Sequence, residues 1–265
     1  MATKKELTVK EEANTDLAML GDSFMDNMDE FANNATAEDM AIPRLAIAQA
    51  LSKICERGHA DYNAEVNIGD FYDKSQDLHW DGEEGVLILP ISYRRTYIEW
   101  NKRDFVADHG LDLALVNSCT KDEKGKMITP DGGTLVQTAE YAVFVLDGEG
   151  GYFPAMISMS GAQFKKSKNW QSKINNLLID TPQGKRNPPC FYKSYLLKTQ
   201  PEKNDQGSWF GYNIAGDKTV TELEKGGEIW KAAVEFRKQM DAGEVKVASY
   251  ESEGETIDED DDSAM

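Results

Sequence analysis

Between residues 66 and 214 the chain is cut into short apolar runs by clusters of glycine, proline and aspartate. This punctuation restricts it to a strand-rich fold. The clearest unit is 135–146 and 152–159, two apolar runs joined by Asp147-Gly148-Glu149-Gly150-Gly151, which predicts a hairpin. A second pair, 191–199 and 208–214, flanks the polar loop 200–207. Upstream, Gly85-Val86-Leu87-Ile88-Leu89-Pro90 has the length of a buried strand, 91–100 is β-branched and aromatic, and 66–72 is a weaker candidate. Two stretches carry a helical period instead. In 162–179, Trp170, Ile174, Leu177 and Leu178 fall on one side. In 228–240, Ile229, Ala232, Ala233, Phe236 and Met240 do so, before a stop at Ala242-Gly243. The expected architecture is mainly β: an OB-fold-like, partly open barrel with an inserted helix and a C-terminal helix. A β-sandwich fits the strand count nearly as well.

Charge divides the chain differently. Residues 1–40 hold ten acids against three lysines, and 251–265 hold eight acids and no base. Of the net charge of −18, only about −3 therefore belongs to 41–250. A like-charge run as dense as Asp258, Glu259, Asp260, Asp261 and Asp262 cannot be buried, so 246–265 is expected to be a disordered acidic tail. Residues 1–40 are expected to be a flexible acidic arm, in which Leu17, Met19, Leu20, Phe24, Met28 and Phe31 have near-helical spacing. The core is then 41–245, and a low overall pI does not exclude a nucleic-acid ligand.

Several classes are disfavoured. Cys55, Cys119 and Cys190 are scattered and odd in number, which suits free thiols in a reducing compartment. His59, His79 and His109 are equally dispersed, and Asp70, Asp73 and Asp77 lack the glycine and terminal glutamate of a calcium loop. No metal or cofactor is expected. The glycine-rich stretches at 82–85 and 148–151 lack the Lys-Ser/Thr of a phosphate loop, and no triad or thiol-nucleophile signature is present, so an enzyme is not expected. No run of about eighteen apolar residues suggests a membrane span, and no signal peptide is read. The expected location is the cytoplasm, that of a host cell if the chain is phage-encoded.

Two stretches interleave cations with aromatics. In 91–103, strand alternation places Tyr93, Arg95 and Tyr97 on one face, with Arg94, Ile98 and Trp100 on the other, followed by Lys102 and Arg103. Aromatics on such a face stack on bases, and the arginines meet phosphates. The same residues could instead pack cross-strand neighbours and pair with acids. The second stretch, 160–200, holds eight basic residues (Lys165, Lys166, Lys168, Lys173, Lys185, Arg186, Lys193 and Lys198) and one acid, Asp180. Trp170, Tyr192 and Tyr195 interleave with them, and Phe191, Lys193 and Tyr195 are expected to share a strand face. Solvated lysine-rich helices usually carry glutamates at i±4, and here those partners are missing. Trp209 and Tyr212 could add stacking area or belong to the core.

This layout resembles phage-encoded single-stranded DNA-binding proteins. The resemblance rests on the tail Ile257-Asp258-Glu259-Asp260-Asp261-Asp262, on 85–100 and on the basic segment 164–198, and extends to Ile42-Pro43-Arg44-Leu45 and 160–170. It implies an OB-fold core that coats single strands in DNA replication, recombination and repair. It also implies a tail that competes with DNA or recruits partners such as a phage DNA polymerase, a helicase or host RNA polymerase, in some members to activate late transcription. The tail here ends Ser263-Ala264-Met265 and lacks the terminal aromatic common in such tails. Other readings are a single-strand annealing recombination protein, an acidic DNA-mimic inhibitor and a virion structural protein. The mimic requires acids arrayed on the folded body, whereas these lie at the ends.

Overall fold

The computed structural model describes residues 41–250 apart from Lys74, Gln76, Arg103, Asp205, Gln206, Ala248 and Ser249. The expectation for the N-terminal arm falls outside the described residues, and so does that for the tail from 251 onward. Within the expected tail, Lys246–Val247 form a strand paired with Ala41–Ile42, and Tyr250 is buried. Two units are distinguished, 1–41 and 42–265, and the described strands and helices, Ala41 apart, belong to the second.

In chain order the strands are β1 (Ala41–Ile42), β2 (Ala46–Ile47), β3 (Phe71–Asp73), β4 (Leu78–Trp80), β5 (Val86–Asn101), β6 (Asp104–Asp108), β7 (Thr120–Lys121), β8 (Met127–Ile128), β9 (Thr134–Leu146), β10 (Tyr152–Met159), β11 (Ile179–Thr181), β12 (Gly184–Arg186), β13 (Lys193–Asn204), β14 (Gly207–Thr219) and β15 (Lys246–Val247). The helices are α1 (Leu113–Ser118), α2 (Gly161–Asn175) and α3 (Gly226–Ala242). The fold is mainly β with few helices, and its curled, half-barrel sheet is consistent with an OB-like fold.

The main sheet runs β14-β13-β5-β9-β8-β7, with β10 added to β9 and β6 added to β5. Both expected hairpins form: Tyr152 pairs with Leu146 across the glycine turn, and Lys198 pairs with Asn213. The long strands β5 and β9 pair along almost their whole length, and each meets different partners at its two ends. β5 meets β13 over 86–88 and β6 over 98–101.

Around β9 the sheet is buried on both faces, which explains why this strand reads as a continuous apolar run rather than an alternating one. Its odd positions Ala139, Tyr141, Val143 and Val145 pack with Phe164, Trp170 and Ile174 of α2. Its even positions Ala142, Phe144 and Leu146 pack toward α3, through Ile229, Ala233, Phe236 and Met240. β5 follows the same division until a bulge between Pro90 and Ser92 shifts its register. Before the bulge Val86 and Ile88 face the α2 side; after it Tyr93, Arg95 and Tyr97 do.

Both expected helices are present with shifted ends. The C-terminal one stops at Gly243, which takes φ 72, a conformation that glycine adopts without steric cost. The inserted one ends at Asn175, so Leu177 and Leu178 leave its buried face. The Asn187 side-chain amide donates to the carbonyls of Ile174, Asn175 and Leu177 (3.0, 3.0 and 2.9 Å), satisfying the helix end and tying the β11–β12 hairpin to it. Of the weak candidate 66–72 only Phe71 and Tyr72 lie in a strand, β3, and β6 and α1 were not anticipated. Among the described residues no helix is long and apolar enough to cross a membrane.

Candidate nucleic-acid interface

The sequence of α2 contains four lysines and no acid. Phe164, Ser167, Trp170 and Ile174 recur at three- and four-residue steps and are buried, so the opposite arc faces water. That arc carries Lys165, Lys168 and Lys173, all exposed. Lys168 lies over the Phe164 ring (4.8 Å to its centre), and none of the three has an acidic partner among the described residues. The hairpin pinned by Asn187 extends the surface with Lys185 and Arg186, both exposed and also unpaired among the described residues. Asp180, opposite Lys185 in the hairpin register, is the single acid in this stretch.

Lys166 does not join this arc. It forms an ion pair with Glu202 and donates to the Tyr212 carbonyl (2.7 Å). Burial would raise the Glu202 carboxyl, but hydrogen bonds from Lys166, Gln200 and Trp209 outweigh it and hold the group below its ordinary range. Lys166 therefore works as a strap from α2 to the edge strand β14. Gln163 and Gln49 act alongside it by bonding the backbone of Tyr212 and Phe210.

The aromatics of β5 part company. Tyr93 is 37% exposed and is the outer ring of a series: its centre lies 5.0 Å from Tyr141, which stacks on Trp170 at 4.2 Å, which meets Tyr195 edge-on at 5.4 Å. Arg95 is exposed and has no partner among the described residues. Tyr97 is buried and accepts a hydrogen bond from Gln137 (3.1 Å). Lys102 is exposed at the β5–β6 turn, and Arg103 lies outside the described residues.

Arg94 projects to the opposite face, where its Nε donates to Glu140 (2.6 Å) and a terminal nitrogen to Asp108 (2.6 Å). Glu140 is completely buried and also receives Arg44 (3.2 Å) and the Tyr250 hydroxyl. Burial would raise Asp108, but Thr96, the Gly110 amide and Arg94 together hold it below the usual carboxylate range. The acid-pairing alternative thus describes Arg94. It does not describe Arg95.

Several expected base-stacking residues are corrected to core roles. Trp100 (2% exposed) meets Phe105 and Tyr250 edge-on, and Trp170 (1% exposed) fills the space between Tyr141 and Tyr195. Tyr97, Tyr195 and Tyr212 are also buried. Their ring faces are occupied by neighbours, so a base could reach them only by displacing the core. Phe191, Lys193 and Tyr195 do not share a face. Phe191 lies in a 3-10 turn (Cys190–Tyr192) and packs edge-on against Trp230 on the α3 side, whereas Tyr195 faces α2. Trp209 is half-buried and donates to Glu202 (3.0 Å), while Tyr192, Lys193 and Lys198 are half-buried flanking positions.

The Arg44–Glu140–Arg94 cluster was missed. Its signal, a glutamate inside an apolar strand, is visible in the sequence, but its partner Arg44 lies 96 residues away. Among the described residues no group of three or more His, Cys, Asp or Glu side chains could hold a metal ion.

No curated protein and no solved structure matches the chain. A family model described as Pam3 phage gp34-like protein matches residues 11–246, nearly the whole of the sequence and almost all of its described core. The chain belongs to the Pam3 phage gp34-like protein family.

Proposed function

We propose that the chain is a non-enzymatic single-stranded DNA-binding protein that coats strands during phage DNA replication, recombination and repair. The observation that carries this reading is the surface formed by Lys165, Lys168, Lys173, Lys185 and Arg186, five cations on adjoining elements without acidic partners among the described residues. Clustered unpaired cations repel one another and are relieved by a polyanion, whose condensed counterions are released on binding. Tyr93 and Arg95 extend the surface with an accessible ring and a further cation. The eight acids of 251–265 are then a tethered competitor for the same cations, or a handle for a basic partner such as a polymerase, a helicase or host RNA polymerase.

Titration of oligo-thymidylate at two salt concentrations tests the reading. Binding is expected to weaken with salt, with a log–log slope of about −0.7 per phosphate neutralised. Absence of binding at low salt would overturn it. Deletion of 251–265 is expected to tighten binding at low salt, and an unchanged affinity would remove the competing-tail part alone.

A further inference from the structure

Strand β5 carries an open window in the main sheet. The edge of β5 turned away from β9 is covered at one end by β13, over 86–88, and at the other by β6, over 98–101. Just inside these ends the backbone is still occupied. The Ile91 carbonyl accepts from Cys190 Sγ (2.9 Å) and Arg237 (3.2 Å), and Tyr97 exchanges hydrogen bonds with Gly110 and His109 (2.9 Å each). Between them no strand is paired among the described residues.

Register fixes what the window presents. Tyr97 turns its N–H and C=O away from β9 to meet Gly110 and His109. Pairing with β9 is regular from Ser92 to Trp100, so Arg95 and Tyr93, two and four residues back, turn theirs the same way. Neither has a backbone partner on that side among the described residues. From Ile91 to Tyr97 the window is about 20 Å long at strand rise. It thus offers two amide donors and two carbonyl acceptors beside the exposed Tyr93 ring and the Arg95 guanidinium, which has no partner among the described residues.

Resting on the DNA-binding reading above, we infer that this window is a base-reading slot. An unpaired base lies against Tyr93, its edge hydrogen-bonds the free backbone of Tyr93 and Arg95, and Arg95 meets the adjacent phosphate. The occupant follows from charge and position. The side chains that flank the window, Tyr93 and Arg95, lie on the α2 side of the sheet, the side whose helix carries the surface cations that are unpaired among the described residues. A strand held on that side presents its bases to the exposed Tyr93 ring. In a duplex the base edges are already paired, so the slot makes the protein selective for single strands. The lysines alone do not, since they meet phosphates in either form.

The test uses the full chain and labelled strands of equal length: oligo-thymidylate, an abasic strand and a duplex. The wild type is expected to bind oligo-thymidylate at least about tenfold more tightly than the abasic strand. Tyr93→Ala should lose most of that ratio while keeping its abasic affinity, and Tyr93→Phe should restore it. Arg95→Pro removes the outward amide at an edge that tolerates proline, so it should lose more of the ratio than Arg95→Ala. Circular dichroism and thermal unfolding confirm that each variant is folded.

Equal binding of thymidylate and abasic strands by the wild type would overturn the slot and leave the DNA-binding reading intact, as would Tyr93→Ala with an undiminished ratio. Binding of no strand would overturn both. If Arg95→Pro instead changes sedimentation and leaves the base dependence untouched, the edge pairs with a second copy of the chain and the slot is refuted.

Discussion

The two long helices cover opposite faces of one sheet and treat their charges in opposite ways. α3 carries both signs and neutralises itself: Arg237 meets Asp241 one turn on (2.9 Å), and Lys238 meets Glu235 (3.3 Å). On the same side of the sheet, Arg44 and Arg94 converge on the buried Glu140, with Asp108 beside them. α2 carries lysines alone, and among the described residues only Lys166 finds an acid, on β13. The difference lies in composition as much as in pairing: α3 interleaves acids with its bases, whereas α2 carries no acid at all, and this contrast is what makes its arc a candidate interface.

The largest expected effect lies on the paired side. Glu140→Ala leaves Arg44 without its buried counter-charge, and breaking such a pair costs about 3–5 kcal/mol. Urea unfolding checks this, and a loss within about 1 kcal/mol would show that the cluster is solvated rather than structural. On the unpaired side the effect should move from stability to binding. A Lys165→Gln, Lys168→Gln, Lys173→Gln triple variant should change stability by about 0.5 kcal/mol or less, as surface substitutions do. It should still weaken oligo-thymidylate binding at low salt and lower the salt slope by about 2. If it destabilises the fold and leaves the slope alone, the two sides are not different in kind.

A smaller effect concerns acid. Asp108 and Glu202 have folded values below their unfolded ones. The stability they contribute is complete above the unfolded carboxylate range near about pH 4 and is lost as pH falls through the lower folded values. Asp108→Asn and Glu202→Gln should each flatten the decline of unfolding midpoint below about pH 4, as read by thermal melts across pH. The smallest effect belongs to α3. Lys238→Gln removes an exposed pair worth about 0.5 kcal/mol or less and should leave DNA affinity unchanged, which makes it the control for the α2 variant.

Much of the fold was legible in local pattern. The hairpins at Asp147-Gly151 and 200–207 are marked by turn residues, and the two helices by apolar spacing, because turn chemistry and period act over a few residues. The candidate site was legible only in part. The lysine arc of α2 could be read because a missing i±4 partner is itself a local fact. The aromatics misled because alternation names a face without saying whether that face is covered. Tyr93 and Tyr97 share a face, but one is exposed and the other is buried under its neighbours. Nor did the sequence show the bulge near Ile91, which decides the face of every later residue in β5.

The sequence by itself determined the strand-rich character, the places of the two long helices and the segregation of charge into acidic ends and a near-neutral body with one basic stretch, 160–200. Each of these is set by neighbours within a few positions. Only the tertiary structure decided which cations are spent and which remain available. Arg94 and Arg95 are adjacent in the chain, yet strand geometry sends one to a buried glutamate and the other to water at the edge of an open window. Burial and pairing are long-range properties, set by what packs against a face from residues as distant as Arg44 from Glu140.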